Sequence, residues 1–211
     1  MFFLKFIGCG AGFSRGLGNN SAILYQDKPE NGYFLIDCGE STRVKLVEMD
    51  LLPYLKGVFI THLHGDHIYG LEMLGFYWKF VRTEPLPLYL PSLDIWKELD
   101  KIFMPTMQDI QDSEGNPQRA YFKDYFHTYI GPAFNLDENL YLEFVEANHV
   151  PKKECYGLRI NIDAKEYLYT SDQATQVEDI GYDMIWHDCS FYDQGKAKKG
   201  GLLDWAYKIK L

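Results

Sequence analysis

The sequence predicts an α/β fold, formed as a single domain over residues 1–211. Short segments rich in β-branched and aromatic residues alternate with segments of helical spacing, which is the pattern of an α/β protein. Of the 211 residues, 46% are hydrophobic and 16% are aromatic, which is enough apolar material for one sizeable core. No internal repeat, linker or low-complexity tract divides the chain.

Turn residues separate the predicted elements. The predicted strands are 2–7, 21–26, 33–36, 57–61, 86–90, 140–144, 155–162, 167–170 and 184–186. Helical spacing covers residues 40–49 and 68–80, and a third helix is expected from Ser92, which can cap its N-terminus, to about Phe103. Polar residues cluster between Pro105 and Pro117 and predict a surface loop.

Charge and composition narrow the function classes. With a net charge of −9, the chain lacks the excess of basic residues that is typical of proteins that bind long nucleic acids. No apolar run approaches the roughly 20 residues of a transmembrane helix, and the start of the chain has no basic region or cleavage site of a signal peptide. The four cysteines form no C-x-x-C pair. We therefore expect a cytoplasmic protein without a membrane partner and with reduced thiols.

The richest chemical signal is the run from His62 to His67, directly after a predicted strand. Residues i and i+2 of an extended chain point to the same side, so His62 and His64 can reach one metal ion. The chain then turns at Gly65 and presents Asp66 and His67 to a second ion. Imidazole and carboxylate ligands without thiolate suit zinc, with manganese or iron as alternatives.

A metal site needs further ligands from elsewhere in the chain. His149 and Asp172 both follow predicted strands, and side chains at strand ends gather at one edge of an α/β sheet. A carboxylate such as Asp172 can bridge two cations and hold them about 3.5–4 Å apart. His187 also follows a short apolar strand, and its position alone leaves structural and functional roles equally open.

These motifs carry a family resemblance that runs in order through most of the chain. The sequence resembles the RNase Z branch of the metallo-β-lactamase superfamily. The matching segments are Gly18-Asn19-Asn20-Ser21, Asp37-Cys38-Gly39-Glu40-Ser41-Thr42, Ile60-Thr61-His62-Leu63-His64-Gly65-Asp66-His67-Ile68-Tyr69-Gly70-Leu71, His149 with Tyr156-Gly157, Ser171-Asp172, and His187-Asp188-Cys189-Ser190.

The resemblance implies the metallo-β-lactamase fold, an αβ/βα four-layer sandwich with two divalent metal ions, zinc or manganese, at one edge of its sheets. The implied ligands are His62, His64 and His149 for one ion, Asp66 and His67 for the other, and Asp172 between them. Asp66 and His187 are the implied catalytic residues, and His187 is expected to protonate or steady the leaving group. A homodimer is implied by the resemblance alone.

Two departures from the family pattern matter. The pattern supplies one more histidine to the second ion late in the chain, and no histidine follows His187 here. Asp204 could replace it, a partner chain could supply it, or the chain is cut short. The tRNA-processing members carry a long arm between the third-motif histidine and the bridging aspartate, whereas only residues 150–171 separate His149 from Asp172.

The expected function is hydrolysis of a small phosphodiester, above all a cyclic nucleotide. The armless relatives that this chain resembles include anti-Pycsar-type cyclic-nucleotide phosphodiesterases, some of them from phages, which would place the protein in the host cytoplasm. A tRNA 3′ endonuclease and a non-catalytic metal-binding relative are the alternatives. The aromatic residues Phe76, Tyr77, Trp78 and Tyr125 either stack on a base or belong to the core.

Overall fold

The computed structural model describes residues 1–12, 16–174 and 181–187. In chain order the described strands are β1 (Phe2–Gly8), β2 (Ser21–Gln26), β3 (Tyr33–Ile36), β4 (Leu55–Phe59), β5 (Leu86–Leu90), β6 (Asp109–Gln111), β7 (Pro117–Arg119), β8 (Phe126–Ile130), β9 (Ala133–Asp137), β10 (Leu140–Glu146), β11 (Tyr156–Ile162), β12 (Lys165–Tyr169) and β13 (Met184–Trp186). The described α-helices are α1 (Glu40–Glu48), α2 (Gly65–Ile68), α3 (Leu71–Tyr77) and α4 (Leu93–Met107).

Two sheets carry most of the described strands. The first has the order β1-β2-β3-β4-β5-β8, and the second has the order β13-β12-β11-β10-β9. In the first sheet, β1, β2 and β3 form an antiparallel meander, and β3, β4, β5 and β8 are parallel neighbours. Helix α1 connects β3 to β4, and α4 lies between β5 and β8 in the chain, as parallel connections require. The carboxyl ends of β3 and β4 therefore meet at one edge.

Two apolar clusters divide the described residues into layers. One cluster joins the helices to the first sheet and includes Leu46 of α1, Leu74 of α3 and Leu99 of α4. The other lies between the two sheets and includes Phe59 of β4 and Leu158 of β11. Among the described residues, the helices, the first sheet and the second sheet thus form three stacked layers, and the second helical layer of the expected four-layer sandwich is not part of them. Each layer buries an apolar face that water would otherwise cover, which is the main favourable term in folding.

Helix α4 begins as predicted and ends later. The Ser92 hydroxyl accepts a hydrogen bond from the Ile95 amide at 3.1 Å, so it caps the helix. The predicted end near Phe103 is four residues short of the observed end at Met107. Ile95, Leu99, Phe103 and Met107 share one buried face, and the full burial of Met107 keeps the last turn helical although Pro105 lies within it.

The helix predicted over residues 68–80 is divided in the structure. Helix α2 ends at Ile68, α3 begins at Leu71, and a π-helical turn over 78–82 follows. Gly70 lies at the break, where a Cβ atom would come within 2.5 Å of the Gly39 carbonyl oxygen. The Gly70 amide donates to the Cys38 carbonyl at 2.8 Å. The break lets this backbone approach the loop after β3 more closely than a continuous helix could.

Other differences concern short strands. The predicted loop between Pro105 and Pro117 contains β6 and the start of the β6–β7 hairpin. Strands β8 and β9 were not predicted, because their exposed and half-buried side chains lack the alternation of a half-buried strand. The tight turn between β11 and β12 is confirmed, and Asp163 and Ala164 both adopt positive φ, as this type of hairpin requires.

None of the helices in the described part of the chain combines the length and the apolar character needed to span a bilayer. Residues 175–180 and 188–211 lie outside the described residues, so a single domain over 1–211 stays a prediction.

Phe59 is the aromatic centre of the contact between the two sheets. Its ring is fully buried and stacks on Tyr89 with centroids 4.4 Å apart, and it meets the edges or faces of Phe34, Phe134 and Phe144. We expect Phe59→Ala to lower the free energy of unfolding by about 3–5 kcal/mol, because it removes buried surface and leaves a cavity. Chemical denaturation followed by circular dichroism measures the loss.

The control for this prediction is Phe3→Ala. Phe3 is 41% exposed on β1, although its ring stacks on Tyr25 at 5.4 Å. Its removal is expected to lower the free energy of unfolding by less than about 1 kcal/mol, since less of its surface is withdrawn from water. Equal losses for the two variants would contradict the placement of Phe59 at the centre of the sheet contact.

Candidate metal centre

Side chains from three loops converge at one edge of the two sheets. His62 and His64 follow β4 of the first sheet, His149 follows β10 and Asp172 follows β12 of the second sheet. One ligand atom from each of these four residues lies within 4.8 Å of all the others. The expected convergence of His149 and Asp172 on the 62–67 run is therefore observed.

Three imidazole nitrogens surround one point. His64 Nδ1 lies 3.1 Å from His62 Nε2 and 3.1 Å from His149 Nε2. One ring nitrogen has either a single proton or a single lone pair, so these two contacts cannot both be good hydrogen bonds. A tetrahedral zinc with bonds of about 2.0–2.1 Å holds neighbouring nitrogens about 3.3 Å apart, close to these distances. The cluster therefore fits a divalent cation.

Asp172 lies between this cluster and a second group of ligands. Its Oδ2 is 3.5 Å from His149 Nε2 and 3.8 Å from His62 Nε2, whereas its Oδ1 is 3.4 Å from His67 Nε2. The two carboxylate oxygens thus face different imidazole groups. This is the orientation that a carboxylate bridging two cations requires.

The second group consists of His67 and Asp66 at the start of α2. His67 is fully buried, and its Nε2 has no hydrogen-bond partner among the described residues, although Asp66 Oδ2 lies 3.8 Å away. A buried nitrogen without a partner is costly unless something outside the described atoms satisfies it. With carboxylates on two sides of Nε2, a cation fits this position better than a neutral group.

Asp37 fixes the orientation of His67 from behind. The carboxylate is fully buried, and its Oδ2 accepts a hydrogen bond from His67 Nδ1 at 2.8 Å. Oδ1 accepts from the Thr61 amide at 2.8 Å, and Oδ2 also accepts from the Thr61 hydroxyl at 2.7 Å. An ionised carboxylate can only accept, so Nδ1 of His67 holds its proton and Nε2 is directed to the ligand group.

The Thr61 hydroxyl performs the same task for His62. Its single proton is donated to Asp37, so its lone pairs are available to His62 Nδ1 at 3.1 Å and to the Ser171 hydroxyl at 2.9 Å. His62 Nδ1 therefore donates, and its Nε2 faces the cluster with a lone pair. Through these contacts the Thr61 hydroxyl links Asp37, which orients His67, to His62. Its bond to Ser171 also links the two sheets.

The backbone in this network is strained at two points. Asp37 and Ser171 adopt φ values of 59° and 52°, in the left-handed region that non-glycine residues seldom occupy. Each such residue costs of order 1 kcal/mol or more and persists where its surroundings determine it, here through the buried hydrogen bonds of its side chain. Strain of this kind is concentrated at functional sites.

The two ligand groups differ in the direction in which the pKa of the buried histidine is shifted. Burial and the neighbouring charge of His67 lower the pKa of His62 to about 2, so its imidazole is neutral and able to bind a metal ion. Burial also lowers the pKa of His67, but the Asp37 and Asp172 carboxylates outweigh it and raise that pKa well above its usual value. The same negative field that favours a proton at His67 favours a metal cation there.

His187 lies at the end of β13, and its Nδ1 is 3.1 Å from the Thr170 hydroxyl. Thr170 directly precedes Ser171 and Asp172, so His187 belongs to the same group of strand ends. Asp204, considered as a replacement for the last histidine ligand, lies outside the described residues.

Sequence reasoning missed the supporting network. It placed Asp37 and Thr61 within family motifs without a role, and Ser171 only beside Asp172. A buried carboxylate directly after a strand was the available signal. Of the four aromatic residues considered for base stacking, Trp78 and Tyr125 are buried in the core, and Phe76 and Tyr77 pack against it. The core interpretation of these residues is therefore the one the structure supports.

Comparisons with known proteins identify relatives of this chain. Residues 2–201 match the family model described as "Anti-Pycsar protein Apyc1". A protein of that name from Saccharibacillus brassicae is 31% identical over 201 residues, which cover 91% of this chain and 78% of the relative. Another, from Bacillus phage BSP38, is 28% identical over 208 residues, with the same coverage.

A solved structure supports the fold. The metallo-β-lactamase fold protein YhfI from Bacillus subtilis is 22% identical and superposes with a TM-score of 0.69 over 94% of this chain and 76% of that one. The predicted metallo-β-lactamase fold is thereby confirmed, and with the His and Asp cluster it supports a metal-dependent hydrolase. The match over residues 2–201 shows that the chain belongs to the Anti-Pycsar Apyc1 family.

Proposed function

We propose that the protein is a metal-dependent phosphodiesterase that hydrolyses a small phosphodiester, specifically a cyclic nucleotide. The orientation of Asp172 carries this proposal, because its two oxygens face two separate groups of imidazole ligands. Two cations held about 3.5–4 Å apart are the usual arrangement for in-line displacement at phosphorus.

The ligand assignment follows the two groups. His62, His64 and His149 would hold one cation, Asp66 and His67 would hold the other, and Asp172 would contact both. Nitrogen and carboxylate donors favour zinc, and manganese is an acceptable substitute. When bound, such ions lower the pKa of water and neutralise the charge that develops on the phosphoryl oxygens.

Two residues of the chain would move protons. The Asp66 carboxylate, 21% exposed, is placed to accept a proton from the attacking water. His187 would donate a proton to the ribose oxygen that leaves phosphorus. Thr170 orients that histidine through its Nδ1. Water attack and protonation of the leaving oxygen together convert the cyclic diester into a monoester without a further reactant.

The choice of a small substrate has independent support. The family name refers to opposition to Pycsar, which agrees with the cyclic nucleotide expected from the sequence resemblance. Residues 150–171 form a turn and the β11–β12 hairpin, which leaves no room between His149 and Asp172 for a tRNA-binding arm. The net charge of −9 also disfavours a long polyanion.

The proposed function predicts loss of activity and of bound metal in His64→Ala. Its Nδ1 is the nitrogen that both other histidines of the cluster approach, so its removal should leave the first cation without a third imidazole. We expect hydrolysis of 3′,5′-cyclic nucleotides with zinc or manganese to be abolished. Metal content, measured by plasma mass spectrometry, should fall from two ions per chain to one or none.

The matched control is His127→Ala. His127 is exposed on β8 and contacts the Tyr129 ring, and it is not part of the ligand cluster. It should retain full activity and metal content. If a broad panel of cyclic nucleotides stays intact while two ions are bound, the proposed substrate class is wrong. Less than one ion per correctly folded chain would favour the non-catalytic relative instead.

Another prediction concerns Asp37→Asn. Asparagine cannot accept from His67 and Thr61 in the same way, because its amide nitrogen is a donor, and it removes the charge that favours a cation at His67. Metal affinity is expected to fall about 10–100-fold. Competition with a chromogenic chelator measures this affinity without any substrate.

Asp27→Asn is the control for charge alone. Asp27 lies on the surface, where it pairs with the N-terminal amine at 2.8 Å. An exposed ion pair of this kind contributes little to stability. Its loss should therefore leave the metal affinity unchanged. If Asp37→Asn also binds metal with the original affinity, Asp37 does not support the metal centre.

The homodimer implied by the sequence resemblance, and action in the cytoplasm of a bacterial host, remain part of the proposal. Size-exclusion chromatography with light scattering is expected to give twice the mass of one chain. A monomer at micromolar concentration with full activity would show that the dimer is not needed.

A further inference from the structure

Asp66 is held differently from the histidine beside it. His67 donates from Nδ1 to the buried Asp37 carboxylate, and this hydrogen bond fixes the orientation of its ring. The Asp66 carboxylate accepts no hydrogen bond within the described part of the chain, and its Oδ2 lies 3.8 Å from His67 Nε2, beyond hydrogen-bond distance. Its side chain is nevertheless mostly buried. Packing against neighbouring atoms must therefore set the direction of this carboxylate.

The segment between β1 and β2 supplies that packing. The structure describes residues 9–12 and 16–20 of this segment. A Cβ atom at Gly12 would lie 3.2 Å from Asp66 Oδ2, 3.3 Å from its Cγ and 3.4 Å from its Cβ. These distances are shorter than the roughly 3.5–4.0 Å of a favourable carbon contact. The absence of a side chain at Gly12 is therefore what allows the Asp66 carboxylate to lie against the backbone of this segment.

The two ends of the segment are fixed to each other and to α1. The Gly10 amide donates to the Gly18 carbonyl at 2.8 Å, which closes the base of the segment. Lys45 of α1 donates from Nζ to the Ile7 carbonyl at 2.7 Å, at the end of β1. Because its base is held in this way, the segment cannot simply swing away from Asp66.

Asn19 connects the end of the same segment to the backbone of Asp66. Its Oδ1 accepts from the Ser41 amide at 2.9 Å and from the Ser41 hydroxyl at 2.8 Å. Gly39 lies between the two, because a Cβ atom there would be 2.6 Å from Asn19 Oδ1 and would collide with the Asp66 carbonyl oxygen. The segment thus packs close to Asp66 on two sides, at its carboxylate and at its carbonyl group.

We propose that Gly12 is a positioning residue for Asp66, which leaves the space in which the carboxylate faces the second cation. This inference rests on the proposed function, in which Asp66 and His67 hold that cation. A ligand without a hydrogen bond to restrain it depends on packing for its direction. Loss of such support from outside the ligand set typically weakens metal binding by about 10–100-fold.

Gly12→Val tests the packing by filling the space beside Asp66. Its methyl groups would press on the carboxylate, so the affinity for one of the two ions should fall at least about tenfold, while the affinity for the other changes by less than about twofold. Competition with a chromogenic chelator measures both affinities, and Asp66→Ala identifies which ion depends on Asp66. Gly12→Ala adds a single carbon atom and should give a smaller loss for the same ion.

Gly131→Val is the matched control. A Cβ atom at Gly131 would approach only the Phe134 ring, at 3.8 Å, which is an ordinary van der Waals distance. Neither Gly12 nor Gly131 has a positive φ, so valine strains the backbone at neither position. Gly131→Val should bind both ions with the original affinity.

A measurement without metal tests the contact itself. In the metal-free protein, Gly12→Val should lower the thermal unfolding midpoint, because the added side chain crowds Asp66. When Asp66→Ala is also present, the space is free, and the same substitution should lower the midpoint much less. Equal shifts in the two backgrounds would show that residues 12 and 66 are not in contact, and would overturn the inference.

The outcomes separate this inference from the proposed function. Two bound ions without hydrolysis of any phosphodiester would refute the phosphodiesterase, whereas a selective loss of affinity in Gly12→Val would still support the role of Gly12. Unchanged affinity for both ions, or equal losses for both, would overturn that role while the phosphodiesterase stands. An original protein that binds fewer than two ions would also overturn it. If Gly12→Val does not fold, Gly12→Ala decides by the same criteria.

Discussion

The buried carboxylate of Asp37 is the interaction on which the rest of the site depends. It is fully withdrawn from water, and its stability there comes from three donors, the Thr61 amide, the Thr61 hydroxyl and His67 Nδ1. A buried charge without such partners would cost several kcal/mol. The strand order that places β3 beside β4 brings these groups together, and their hydrogen bonds then direct the second nitrogen of two histidines outward. The same carboxylate thus joins β3 to the residues after β4 and orients the imidazole groups of the candidate metal centre.

Much of the candidate ligand set could be recognised from sequence because it is local. His62, His64, Asp66 and His67 lie within one strand-to-helix turn, where spacing alone decides which side chains point together. His149 and Asp172 were harder to predict, and their position after strands was the only sign available without the family resemblance. The structure brings both to the same cluster, since their strands belong to the second sheet and end at the same edge as β4.

The features that sequence could not reveal depend on close approach between distant segments. The interruption of the helix at Gly70 follows from its contact with Cys38 and Gly39, which no periodicity within residues 68–80 encodes. The additional turn of α4 follows from the burial of Met107. Likewise, the bond between Thr61 and Ser171 joins residues far apart in the chain, and only the packed sheets make it possible.

The candidate ligands come from both sheets, and this division has a thermodynamic consequence. A cation that binds only when the two sheets are apposed adds its binding free energy to the cohesion of the sandwich, by about 1.4 kcal/mol for each tenfold excess of free ion over its dissociation constant. Metal supply in the cell would then regulate how long the chain survives proteases as well as how fast it turns over substrate. Removal of that cation would shorten the lifetime of the protein itself.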